Sequence, residues 1–358
     1  MSAPAGERVT VAFDALGAEA GPRAVEAGVR AALADGISVR VFGRRDELGV
    51  LADLEGVEVI DTHDSIGNDE EPVRAVRGRP DASIVRAAAD VAAGRSQALA
   101  SPGSTGATMT AALFALKRIR SVQRPALAVQ LPAPGRERPV LLLDVGANSE
   151  ARVSHLVQFA HLGSAFSEAV LGIPRPRVAL LSVGAEAKKG TPLVVEAHSS
   201  LAASGEIAFV GNVEGRDLLD PEADVVVTDG FTGNVVLKTI EGTAVAVAGA
   251  VRAAASSGPR AAAGGLLLRP TLGSLREGMD PDATGGAILL GLRGVAVVGH
   301  GSAGPIGIAN QIRLAARAVS ERAIERTEEL IERSGVGRAS QRTASVDDAP
   351  ASRDTPSP

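Results

Sequence analysis

The chain has no cysteine, no tryptophan and no tyrosine, and only 7 phenylalanines in 358 residues. Without cysteine there is no disulfide, no thiolate nucleophile and no thiolate metal site, and folding needs no oxidising compartment. So few aromatics leave few platforms for stacking bases, and a net charge of −5 argues against nucleic acid as a partner. The five histidines (His63, His155, His161, His198 and His300) are too scattered for a histidine-rich metal centre, so neither metal nor cofactor is expected. Met1 to Arg8 lacks the apolar core of a secretory signal. No uncharged apolar run approaches the ~18 residues that a spanning helix needs. A cytoplasmic protein with a large α/β core is the expectation.

Alanine (64) and glycine (41) dominate, and the basic residues are 33 Arg against 4 Lys. The alanine and arginine excess reads as coding bias. The four lysines are more informative, because a lysine kept in an arginine-using chain is a compact ammonium rather than a generic charge. Lys188 and Lys189 follow the apolar run Val178–Leu181, and Lys238 lies a turn into a long apolar stretch.

Short apolar runs alternate with helical patterns. Strands are expected at Val9–Phe13, Val39–Phe42, Val57–Ile60, Ala98–Ala100, Ala126–Leu131, Val140–Leu143, Val178–Leu181, Ile207–Val210, Val225–Thr228 and Val295–Val298. Helices are expected at Pro22–Ala34, Asp81–Ala93, Ala107–Lys117, Val153–Val170, Leu193–Ala203, Asn234–Ala255 and Gly304–Leu330. The rhythm predicts an α/β fold: a mainly parallel, Rossmann-like sheet with helices on both faces. Residues 1–333 read as a single α/β catalytic domain, with 256–282 a distinct Leu-rich helical segment and 334–358 a disordered tail.

Ligands of such sheets gather at the carboxyl ends of strands. Three polar junctions follow strands here. Ser101-Pro-Gly103-Ser104-Thr105-Gly106 and Asp229-Gly230-Phe-Thr232-Gly233-Asn234 share Gly-x-Thr-Gly and each opens a helix. Glycine lets backbone approach a ligand, and a helix N-terminus offers free N–H groups to phosphate. The plain alternative is two glycine turns with Thr or Asn caps. The third junction is Asp144-Val-Gly146-Ala-Asn148. Gly299-His300-Gly301-Ser-Ala-Gly304 matches a dinucleotide fingerprint, but only one helix and the tail follow, and Glu321 falls in a charged helix; that reading is rejected. There is no nucleophile elbow, no Walker loop and no H-E-x-x-H.

Taken together, Gly211-Asn-Val-Glu-Gly-Arg-Asp-Leu-Leu-Asp220 and the run from Ala223 through Lys238 to Thr243 resemble the bacterial phosphate acyltransferase family, the acyl-carrier-protein:phosphate transacylases. Phe13-Asp14-Ala-Leu-Gly17, Gly103–Ala107, Leu143–Asn148, Lys189-Gly190, Gly285-Gly286-Ala287 and His300-Gly301 support it over roughly residues 8–330. The sequence departs from the family pattern at Leu16, Ala18, Glu19, Ala82-Ser-Ile84, Ser104, Glu150 and Val298.

The resemblance implies acyl transfer from acyl carrier protein to inorganic phosphate, giving acyl phosphate for phospholipid synthesis. It also implies a fold like that of the phosphotransacetylase and isopropylmalate-dehydrogenase group, a homodimer, a glycerol-3-phosphate acyltransferase as downstream partner, and peripheral membrane contact through Leu266, Leu267 and Leu268. Phosphate is already an anion and attacks a thioester directly, which agrees with the empty nucleophile search. Lys189, Asp229, Lys238 and His300 are the catalytic candidates. Asp14, Gly17, Ser101, Gly103, Ser104, Thr105, Gly106, Asn148, Gly230, Thr232, Gly233 and Asn234 are candidates for binding phosphate and the acyl carrier. A related enzyme using acyl-CoA, or a non-catalytic paralogue that binds the carrier, are the alternatives.

Overall fold

The computed structural model describes residues 8–133, 138–219, 222–278 and 281–336. Among these, eleven strands form one sheet. The strands are β1 (Thr10–Asp14), β2 (Ser38–Gly43), β3 (Val57–Asp61), β4 (Ala98–Ser101), β5 (Ala126–Leu131), β6 (Val140–Leu143), β7 (Arg177–Ser182), β8 (Ala208–Glu214), β9 (Val225–Val227), β10 (Ala287–Leu290) and β11 (Val295–Val298). Their order across the sheet is β3-β2-β1-β4-β11-β10-β5-β6-β9-β7-β8. Seven of the ten pairings are parallel, so the mainly parallel sheet stands. The exceptions lie together: β10 is antiparallel to β11 and β5, and β5 to β6.

Strand side chains alternate between faces, and the core divides accordingly. Val11, Phe13, Leu141 and Leu143 pack on one face with Val25, Phe159, Ile308 and Ile331. These come from helices α1 (Pro22–Ala34), α6 (Val153–Ala169), α10 (Pro305–Ser320) and α11 (Ala323–Ser334). Ala12 and Leu142 face the other side with Ala87, Ala111, Val236, Leu237 and Ile240, from α4 (Ser83–Ala92), α5 (Thr105–Leu116) and the start of α8 (Gly230–Ala255). Short helix α3 (Pro72–Gly78) joins this second face, whereas α2 (Arg45–Ala52) and α7 (Pro192–Ser204) pack on the first.

Several features differ from the sequence expectation, the short helices α2 and α3 among them. The helix expected over Gly304–Leu330 is two helices, broken where Arg322 takes a left-handed φ of 54°. Strand β10, a four-residue run behind Gly285 and Gly286, is absent from the expected set. Helix α8 starts four residues earlier than expected, because Asp229 caps it.

Helix α9 (Pro259–Gly278) folds back against α8, with Gly265 seated on Ala255. This is the Leu-rich segment, and it leaves Leu266, Leu267 and Leu268 exposed, Leu267 at 82%. Helix α8 is long and apolar enough, by length and composition, to cross a membrane, although Lys238 and Glu241 interrupt it. Residues 337–358, most of the expected tail, lie outside the described residues, as does Met279.

Three successive antiparallel pairings leave β6 and β9 opposed in direction to β1, β4 and β11. Their carboxyl ends therefore lie at opposite edges of the sheet, and α8 links them, starting after β9 and reaching His300 in the loop after β11.

Candidate active site

The first cluster is built on β1, β4 and the end of β11. Asp14 ends β1 and is buried. Its Oδ2 accepts a hydrogen bond from Ser101 Oγ at 2.8 Å. Ser101 Oγ in turn accepts from Gly103 N (3.0 Å) and from Thr108 Oγ1 (3.1 Å). Asp14 Oδ1 and Ser83 Oγ are buried near each other, yet neither completes a hydrogen bond. Burial pushes the Asp14 pKa above the usual carboxylate range, against the pull of Ser83, Ser101 and the Gly17 and Leu16 amides. Gly17 is required here, since a Cβ would lie 2.5 Å from Gly103 N. Ser104 caps α5, its Oγ accepting from Ala107 N, and Thr105 stands exposed at the helix start. The loop after β11 closes the cluster: Glu19 N donates to Gly301 O at 2.8 Å, with His300 beside it.

The second cluster is built on β6 and β9. Asp144 is fully buried. It accepts from the backbone N–H groups of Leu127, Gly146, Ala147 and Asn148, and from Asn148 Nδ2. Burial raises its pKa, and these five donors pull the other way. Asn148 Nδ2 also donates to Pro125 O at 2.8 Å, and Asn148 O accepts from Gly230 N at 2.8 Å. Asp229 accepts from Thr232 N and Thr232 Oγ1, both at 2.8 Å. Asn234 Nδ2 donates to Val145 O at 3.1 Å. At Gly233 a Cβ would lie 1.9 Å from Asp144 O, so only glycine admits this approach. Asn148 and Asn234 thus hold the start of α8 against the loop after β6, while Asp229 caps the helix itself.

Helix α8 joins the clusters. Seven residues separate Asn234 from Glu241, a rise of about 10 Å. Glu241 Oε2 accepts from Lys238 Nζ at 2.7 Å, and Glu241 Oε1 lies 3.4 Å from His300 Nε2. Burial opposes ionisation of Glu241, but His300 and Lys238 outweigh it and hold its pKa below the usual range. Lys238 and His300 keep about half their side chains in solvent, 52% and 42%, while Glu241 keeps 21%. Two donors therefore face outward over a shielded carboxylate, where α8 meets the loop after β11. Among the described residues no three His, Asp or Glu side chains gather as a metal site requires.

The chain matches the sequence family described as "Fatty acid synthesis protein" over residues 9–326. It is 43% identical over 309 residues to the phosphate acyltransferase of Lactococcus lactis subsp. lactis, covering 85% of this chain and 92% of that protein. It is 41% identical over 325 residues to the phosphate acyltransferase of Bacillus licheniformis, covering 90% and 98%. The chain belongs to the phosphate acyltransferase family. Its fold is that of the phosphotransacetylases. A phosphotransacetylase from Streptococcus pyogenes superposes with a TM-score of 0.58 at 18% identity, covering 89% of this chain and 95% of that one. A branched-chain phosphotransacylase from Enterococcus faecalis gives 0.57 at 17% identity, covering 87% and 99%.

Of the catalytic candidates, the structure brings Lys238 and His300 together and leaves Asp229 at the foot of the same helix. Lys189 stands in the exposed loop after β7. Its carbonyl accepts from Ser182 Oγ at 3.0 Å and its N–H donates to Glu186 O; none of these bonds reaches either cluster. Glu241 does not stand out in the sequence. Its spacing of three from Lys238 is the available signal, but nothing in the chain order places it beside His300, 59 residues away.

Proposed function

We propose that this chain transfers a fatty acyl group from acyl carrier protein to inorganic phosphate, in the space over Lys238, Glu241 and His300. The observation that carries the reading is that carboxylate-held pair of donors where α8 meets the loop after β11. A phosphate oxygen attacks the thioester carbonyl, charge develops on the carbonyl oxygen, and the C–S bond breaks to release thiolate, which takes a proton. Phosphate needs N–H donors, and the opening turn of α5 beside Gly103 and Thr105 offers them. The developing oxyanion needs a cation that does not reorganise. Lys238, fixed by Glu241, is suited to it; Lys189 is the other ammonium in reach of the family pattern. His300 is the donor for the departing sulfur. Asp14 and Asp144 act below the surface, holding the two loops in shape.

The family likeness supports a cytoplasmic homodimer feeding a glycerol-3-phosphate acyltransferase. The exposed Leu266, Leu267 and Leu268 support reversible contact with a lipid surface. The test is acyl phosphate formation from long-chain acyl carrier protein and phosphate, trapped with hydroxylamine, beside acyl-CoA as rival donor. Turnover with the carrier is expected. Turnover with CoA alone replaces carrier by CoA in the reading, and no turnover with either donor removes the catalytic reading.

A further inference from the structure

The loop between α5 and β5 reads Lys117-Arg118-Ile-Arg120-Ser-Val-Gln-Arg124, four cations and no acid, in a chain whose net charge is −5. The fold builds this loop rigidly. Ile119 N donates to Gly291 O at 2.9 Å, and Arg293 N donates to Lys117 O at 3.0 Å, which sets Arg293 beside Lys117. The Arg118 guanidinium donates to Val122 O and Gln123 O, folding the loop on itself. The fully buried Gln158 pins it to α6: its Oε1 accepts from Gln123 N at 2.9 Å and its Nε2 donates to Ser121 O at 3.0 Å. Ser154 Oγ donates to Gln123 Oε1 at 2.9 Å. Arg152, at the foot of α6, thereby joins Arg124. Both stand close enough to His155 to add to its burial in lowering its pKa to about 4.

Lys117, Arg118, Arg120, Arg124, Arg152 and Arg293 are all exposed. No ion pair within the described residues involves any of the six. Glu150 lies two residues from Arg152, and Glu325 lines a surface groove with Arg293. Four cations on a pinned loop and two beside it, none in an ion pair, invite an anionic partner.

The position identifies that partner. Arg124 precedes Pro125, whose carbonyl is held by Asn148, and Arg152 follows Asn148 by four residues. The basic surface therefore borders the second cluster. From Gly230 at that corner, α8 rises about 16 Å to Glu241. We propose that these six side chains are the docking surface for the acidic carrier protein, whose thioester arm then runs along the first turns of α8 to Lys238 and His300. This rests on the carrier-dependent reaction proposed above. Charges on such a border steer encounter and set salt dependence, without touching reacting atoms.

The test is steady-state kinetics of the whole chain with Arg124→Glu/Arg152→Glu, against Arg23→Glu/Arg30→Glu on α1 as an equal change of charge. For the first variant KM for acyl carrier protein is expected to rise at least tenfold at low salt and to lose most of its salt dependence. Its kcat and its KM for phosphate stay unchanged, and the α1 variant behaves as the parent. A carrier KM within twofold of the parent overturns the docking surface and leaves the reaction standing. Loss of binding to anionic vesicles in place of that KM effect overturns it too, and assigns the cations to a membrane. A fall in kcat or a rise in phosphate KM also overturns it, because the cations then act within the site. If the parent makes no acyl phosphate from the carrier, the reaction and the docking surface fall together.

Discussion

Replacing Gly233 by alanine separates two physical effects of opposite sign. Gly233 lies in the first turn of α8, where alanine is the better helix former by ~1 kcal/mol. Its Cβ, however, would sit 1.9 Å from Asp144 O and 2.9 Å from Asp144 C. Ordinary contact begins at about 3.5 Å, so roughly 1.5 Å must be found between two backbone segments. Neither is a flexible side-chain end. Moving α8 outward by that much breaks the Asn234–Val145 and Gly230–Asn148 hydrogen bonds, now 3.1 and 2.8 Å. Each is worth about 0.5–1.5 kcal/mol, and overpacking adds about 1–3 kcal/mol. The packing terms outweigh the propensity gain, and a net loss of about 1–5 kcal/mol is expected in urea unfolding. Because α8 carries Lys238 and Glu241, the same shift misplaces them, and a misplacement of about 1 Å costs on the order of 100-fold in rate. Gly249→Ala is the control: it lies in the same helix with open space around it, and alanine there gains about 0.5–1 kcal/mol. A Gly233→Ala protein as stable and as active as the parent would refute the reasoning.

Asp144→Ala leaves five donors around an empty centre and is expected to cost about 3–5 kcal/mol in chemical unfolding; a loss under 1 kcal/mol would contradict the role assigned to this carboxylate. Asp14 carries a raised pKa in the folded state, so the folded chain binds the proton more tightly, and that contribution is present at low pH and fades as pH rises through the folded value. The stability of Asp14→Asn relative to the parent should therefore rise with pH from about 4 upward, and a difference that is flat or falling between pH 4 and 8 would show the sign to be wrong. Leu267→Asp should leave stability within about 0.5 kcal/mol, because the side chain is exposed, while reducing co-sedimentation with liposomes; unchanged co-sedimentation removes the lipid contact.

Much of the sheet is legible in the sequence because its strands are short, apolar and bounded by glycine or polar loops. Val225–Val227, buried on both faces, reads directly as an interior parallel strand. The antiparallel group β10-β5-β6 is not legible, since pairing direction depends on which strands become neighbours and not on local pattern. The break at Arg322 is hidden for a related reason: apolar spacing continues across it, and only packing of α11 against α6 forces the turn. At the site, the glycine loops declare themselves by composition. Their division of labour does not. Asn148, Asn234 and Asp229 look like ligand groups in sequence, yet their hydrogen bonds go to the protein's own backbone or to neighbouring side chains. Glu241 looks like half of an ordinary helix pair, and joins the candidate site only because α8 runs across the sheet to the loop that follows β11.

The most direct test of the account is the single-turnover rate of acyl phosphate formation in Lys238→Ala and His300→Ala, at saturating acyl carrier protein and phosphate. Acyl transfer over the Lys238–Glu241–His300 group predicts a fall of about 100-fold or more in each, with unfolding curves close to the parent's, since both side chains are half in solvent. Rates within about twofold of the parent in both variants would contradict it and move the chemistry away from α8.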